Sequence, residues 1–175
     1  MRIAIIKQLK TLFAKCFQRR YTVDDHIAAL NEICRIGQPT DIIRIFPLVY
    51  SNNEVTARHT ATIIRQLLTH PTIDSFWRHL RDKIGYSLST DIKHIGVMDR
   101  FTDFPPAERA HLYGLASLVN DGYICEAAIE RLASLPSSEI LPYILLRIRD
   151  HVPQISIKAY LSLIHISEPT RQDRI

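Results

Sequence analysis

The stretch YICEAAIERLASLPSSEILPYILLRIRDHVPQISIKAY, Tyr123 to Tyr160, decides how the chain is read. Tyr123 to Leu135 places Ala127, Ile129 and Leu132 at helical spacing, which predicts an amphipathic helix. Pro136-Ser137-Ser138-Glu139 breaks it and offers a fresh N-cap. Ile140 to Asp150 predicts a second helix with an early proline, and HVPQISIKAY starts a third. Three helices joined by short polar breaks cannot each bury their apolar stripe alone, so they must pack on one another.

The same order occurs earlier. Thr22 can cap a helix, with Asp25 three residues on in a variant of the capping box. Ile27, Leu30, Ile33 and Cys34 form that helix's stripe, and Gly37 stops it. Thr40 opens a second helix with Ile42, Ile43, Phe46 and Val49, kinked at Pro47 because proline lacks the amide donor. After Ser51-Asn52-Asn53, a third helix runs from Val55 to Leu68 and ends at His70-Pro71. At an offset of about 100 the halves match, Leu30 with Ile129, Ile33 with Leu132, Val55 with Ile155 and Arg58 with Lys158, with a one-residue slip between them. Helix pairs with a period of about 40 residues stack into solenoids.

The run Ile140 to Tyr160 resembles the second helix, turn and following helix of bacterial HEAT-repeat proteins, of the HEAT-like or PBS-lyase type. Asp150 fits the family's turn position and Ile155 its apolar position, while Ser156 stands where a basic residue is usual. The resemblance is good over residues 105 to 160 and fair over 22 to 70; it is poor over 71 to 104, where TIDSFWRHLRDKIG is a clear helix and YSLSTDIKHIGVMDRFTDFPP is irregular or a divergent repeat. It implies an all-α fold, an α-solenoid of HEAT-like antiparallel helix pairs spanning 21–160. Such an array is expected to be a non-enzymatic scaffold that binds another protein through one extended face.

Composition agrees. The chain has 46% apolar and 23% charged residues and five glycines among 175, a helix-favouring globular balance. A chain of this length buries roughly 70% of the surface exposed when unfolded. The formal charge of +4 is unevenly placed. Residues 1–20 carry Arg2, Lys7, Lys10, Lys15, Arg19 and Arg20 and no acid, leaving 16 basic and 18 acidic residues in the rest. Residues 3–19 predict a basic amphipathic helix with Ile5, Leu9, Leu12, Phe13 and Cys16 on one side and Lys7, Lys10 and Lys15 opposite. The favoured reading is a cap over the first repeat. The rival is a membrane-peripheral adaptor whose lysines meet anionic lipid, so that deleting residues 1–20 abolishes vesicle binding.

The second rival is a nucleic-acid binder. FWRHLRDK, Phe76 to Lys83, holds the only tryptophan, and Trp77, Arg78, Arg81 and Lys83 could stack on bases and meet phosphates, as the HEAT-like DNA glycosylases do. The plainer reading buries Phe76, Trp77 and Leu80 while the charges reach solvent. Neutralising Arg78, Arg81 and Lys83 would separate the two.

Catalytic machinery is not expected. Phosphate loops, a G-x-S-x-G elbow and an H-E-x-x-H helix are absent from the sequence, and no His-Glu pair of the kind used by HEAT-built metal hydroxylases occurs. His26, His59 and His111 read as core or surface histidines. Cys16, Cys34 and Cys125 lack metal or disulfide spacing and read as buried thiols of a cytoplasmic protein. No cofactor or metal is expected. No signal peptide or membrane-spanning run is evident.

The last segment differs in kind. LSLIHISEPTR, Leu161 to Arg171, resembles the translation of a transposase-type sequencing adapter, with Gln172, Asp173 and Arg174 in the place of its index and Ile175 after it. The expectation is a non-native tail over 161–175 and a native chain cut near Tyr160, whose apolar end would promote self-association.

Overall fold

The computed structural model describes residues 22–69 and 83–167. Among the described residues all regular structure is helical. The chain divides into two compact units, Met1–Leu80 and Arg81–Ile175.

In the first unit, α1 (Val23–Ile36) begins where the sequence places it. The amide of Asp25 donates to the Thr22 hydroxyl oxygen at 3.3 Å, and the amide of Thr22 donates to the Asp25 carboxylate at 2.9 Å. The hydrogen bonds from Thr22 hold the Asp25 carboxyl below its ordinary value. Gly37 ends the helix, its amide bonded to the Ile33 carbonyl at 2.7 Å. The next stretch is a turn of 3-10 helix (Pro39–Asp41), the short α2 (Ile42–Ile45) and a further 3-10 run (Phe46–Tyr50). Pro47 therefore does more than kink a helix: it has no N–H for the Ile43 carbonyl, so α geometry stops at Ile45. Phe46 and Val49 remain fully buried all the same. Asn53 caps α3 (Glu54–Leu68), which packs on α1. Ala29, Leu30 and Ile33 of α1 and Ala57, Ala61 and Ile64 of α3 are buried. Each of the larger ones contributes about 1.5–3 kcal/mol by leaving water.

In the second unit, residues 83–88 are helical, followed by a 3-10 run (Ile95–Asp103). This part of the sequence, read as irregular, is core-forming: Leu88, Ile92, Met98 and Phe101 are fully buried. Helices α4 (Pro106–Ala116), α5 (Gly122–Ala133), α6 (Leu141–Ile148) and α7 (Pro153–Ser167) follow. Helix α4 packs on α5, and α7 packs on both α5 and α6. Helix α4 buries every residue from Ala110 to Ala116, so it has no solvent face in its last two turns. Gly114 lets the ring of Tyr143 lie directly against α4; a Cβ at 114 would stand 2.5 Å from three ring carbons.

The two units share one motif. The long helix, 3-10 turn, short helix and second long helix begin at Val23, Pro39, Ile42 and Glu54, and again 99 residues later at Gly122, Ser138, Leu141 and Pro153. The cap residues Thr22 and Asp121 obey the same spacing. A single offset thus replaces the one-residue slip. Val55 is 59% exposed and Ile155 is 4%, so they are not counterparts; Thr56, buried like Ile155, is. The short helices differ because Pro142 falls in the first turn of α6, where proline is tolerated, while Pro47 falls at the position of Leu146. The last helix runs continuously from Pro153 through Ser167, past the expected boundary at residue 160. Residues 168–175 lie outside the described part.

Candidate functional site

The lysines of the N-terminal stretch, Lys7, Lys10 and Lys15, lie outside the described residues, as do Trp77, Arg78 and Arg81. Lys83 is described, exposed on the helical stretch 83–88. The structure instead draws attention to three groups of polar side chains that link helices.

The first group is repeated. In the first unit, a ring nitrogen of His59 on α3 meets the Asn31 side-chain oxygen on α1 at 2.8 Å. In the second, Lys158 on α7 donates to Glu126 at 2.7 Å and also to Glu130, both on α5. His59 and Lys158, and Asn31 and Glu130, are counterparts at the 99-residue spacing. The two carboxylates raise the Lys158 ammonium pKa, chiefly through the hydrogen bond to Glu126. Cys34 adds a second tie in the first unit, its thiol donating to Gln66 at 2.8 Å. That cysteine is exposed rather than buried, because the α1 position it occupies lies at the edge of the α1–α3 contact; Cys125 is buried as expected, and Cys16 lies outside the described residues.

The second group locks α4 to α6. The His111 Nδ1 lies 2.8 Å from the Tyr143 hydroxyl, and its Nε2 lies 3.5 Å from a Glu139 carboxylate oxygen. Burial, with Glu139 adding to it, pushes the Tyr143 phenol well above its ordinary range, so the hydroxyl keeps its proton. His111 and Tyr143 are 4% and 1% exposed, which suits a lock between helices and leaves no approach for a substrate. His111 thus reads as a core histidine with defined partners.

The third group borders a cavity of about 220 Å³ where the ends of α4 to α7 meet, lined by Leu118, Val119, Cys125, Arg147, Asp150 and Ile155 among others. Arg147 and Asp150 are joined at 2.5 Å with side chains 7% and 2% exposed. Arg147 also donates to the Ser117 carbonyl, as does the Cys125 thiol at 3.1 Å. Asp150 accepts the Val152 amide at 3.1 Å and so prepares the start of α7. Ser156 donates to the Ile148 carbonyl at 2.5 Å and ties α7 back to α6.

Sequence reasoning singled out Asp150 but not Arg147 or Tyr143. Arg147 was legible as the charge three residues before that aspartate, one helical turn away. Nothing local marks Tyr143, whose position depends on Gly114. Among the described residues, no group of three His, Cys, Asp or Glu side chains could hold a metal ion, and no helix is long and apolar enough to cross a membrane. No family model, curated protein or solved structure matches the chain.

Proposed function

We propose that the protein is a non-enzymatic, HEAT-like helical-repeat scaffold that binds another protein. The observation that carries this reading is the 99-residue recurrence of one motif, with its caps and the polar pair between its long helices at equivalent positions. Repetition of a packing unit favours an extended surface over a single catalytic centre. The charged and polar groups described above are spent on holding helices together, which is what a scaffold requires of them.

The contact face follows from exposure. On α7, Ile157 and Tyr160 are 60% and 56% exposed and stand three residues apart on one face of the helix. At the counterpart of Tyr160, the first unit carries a buried alanine, Ala61. A protein partner presenting an apolar surface suits the α7 stripe.

The test is chemical cross-linking and affinity capture from cells of the source organism, with intact chain and with Ile157→Glu plus Tyr160→Glu. The reading expects a defined protein recovered with the intact chain and lost with the variant, at an unchanged melting temperature. Equal recovery by both, or recovery of nucleic acid in place of protein, contradicts it.

A further inference from the structure

The outer face of α7 departs from its counterpart in the first unit. At the 99-residue spacing, Pro153 and Ile157 correspond to Glu54 and Arg58. On α3 those two residues form an exposed ion pair, the Arg58 guanidinium 2.7 Å from the Glu54 carboxylate, as a solvated helix surface does. On α7 the same positions hold a proline and an isoleucine, both exposed, and Tyr160 extends the line by another turn. Pro142 and Leu145 are exposed on α6, the helix that α7 packs against. One folding pattern serves twice, and the second time apolar side chains replace its surface charges.

Charge identifies what covers this face. Lys158 is the one charged residue between Pro153 and Tyr160, and it is turned to α5, where Glu126 and Glu130 hold it. Pro153, Ile157, Tyr160, Pro142 and Leu145 carry no charge. In a two-fold pair each patch meets its own copy, so a charge near the axis would meet its like; a charge-free patch is what that symmetry requires. A different protein would be selected by complementary charges, and this face offers none to select with. Arg149, exposed where α6 ends, flanks one end of the patch. Antiparallel α7 helices keep the two Arg149 side chains at opposite ends and oppose the helix dipoles, whereas a parallel pair brings like charges together.

Side chains of this size, more than half exposed, each offer on the order of 100 Å². The patch therefore buries a few hundred Å² per copy, short of the roughly 800 Å² per partner of a standard stable interface. That suits a chain that folds as a monomer and pairs weakly, with a dissociation constant in the micromolar range.

We propose that this face is a homotypic docking surface: two copies of the chain pair through Ile157, Tyr160 and Leu145, their α7 helices antiparallel across a two-fold axis. This pairing rests on reading the α7 face as a protein-docking surface, and it names the occupant. All three residues lie before the segment 161–175 that resembles an adapter.

Sedimentation equilibrium of the full chain, from low to high micromolar concentration, is the test. The mass should rise from monomer to dimer and stop there. Ile157→Arg, which installs the residue found at Arg58 in the first unit, should weaken pairing at least about tenfold, because the two new charges meet across the axis. Ile157 is exposed in the monomer, so the melting temperature of the dilute chain stays unchanged. Mixing Ile157→Arg with Ile157→Glu should restore a dimer made of one chain of each kind, which only a contact near the axis produces. A monomer at every concentration, association that continues past the dimer, equal pairing by Ile157→Arg, or no dimer in the mixture would each overturn the proposal. The scaffold reading fails separately. A monomeric chain that captures a different protein through Ile157 and Tyr160 overturns the pairing alone, whereas a dimer that captures none overturns the scaffold reading alone.

Discussion

Replacing Gly114 by alanine should destabilise the protein, although alanine is the better helix former. Helix propensity alone favours the substitution by about 1 kcal/mol. Against it, the new Cβ would stand 2.5 Å from three carbons of the Tyr143 ring, where carbon atoms in contact prefer roughly 3.5–4.0 Å. The ring cannot step aside cheaply, because Tyr143 is fully buried and its hydroxyl is bonded to His111 at 2.8 Å. Overpacking costs about 1–3 kcal/mol, and losing the His111 bond adds about 1 kcal/mol. The net is a loss of about 2 kcal/mol, which at this chain length is roughly 4–8 °C in melting temperature. Urea unfolding followed by circular dichroism reads it. Gly122→Ala is the control: its Cβ meets nothing within 4 Å, so the change should be neutral or slightly stabilising. A stable Gly114→Ala variant would refute the close approach of α4 and α6.

Asp150→Asn should cost about 3–5 kcal/mol, because it leaves the Arg147 charge buried without its counter-ion. Glu54→Gln breaks the Arg58 pair, whose side chains are 60% and 74% exposed, and should cost under about 1 kcal/mol; similar urea midpoints for the two would contradict this ranking. The Tyr143 phenol, raised by burial, stays protonated in the folded state when the unfolded chain ionises near pH 10. Its contribution is therefore present below that pH and lost as pH rises further, so melting curves between pH 8 and 11 should fall more steeply for the natural chain than for Tyr143→Phe; equal slopes would count against it. Thr22→Ala should lower stability by about 0.5–2 kcal/mol by removing the cap of α1, again measured by urea unfolding.

What the sequence revealed was mostly local. The Thr22–Asp25 capping box, the stop at Gly37 and the break before Ser138 depend on residues within one helical turn, and each sits where its chemistry dictates. Helix α4 was harder to see, because a segment buried from Ala110 to Ala116 shows no alternation of apolar and polar residues. The 3-10 run from Ile95 to Asp103 hides for a related reason: its period is not 3.6, although Met98 and Phe101 fill the core. The repeat was visible, but Val55 drew the register off by one residue, since an apolar side chain at a helix start need not be buried. The cavity and the His111–Tyr143 lock join residues about 30 positions apart and could not be read from spacing alone.

The central claim is that the two units carry one motif in a single register, and a zero-length carbodiimide cross-link tests it directly. In the natural chain, peptide mapping should find Lys158 joined to Glu126 or Glu130, which it touches across α5 and α7. In the variant His59→Lys with Asn31→Glu, a second cross-link should join positions 31 and 59, recreating the pair in the first unit. A cross-link that forms instead in Arg58→Lys with Asn31→Glu, and not in the in-register variant, would contradict the shared motif.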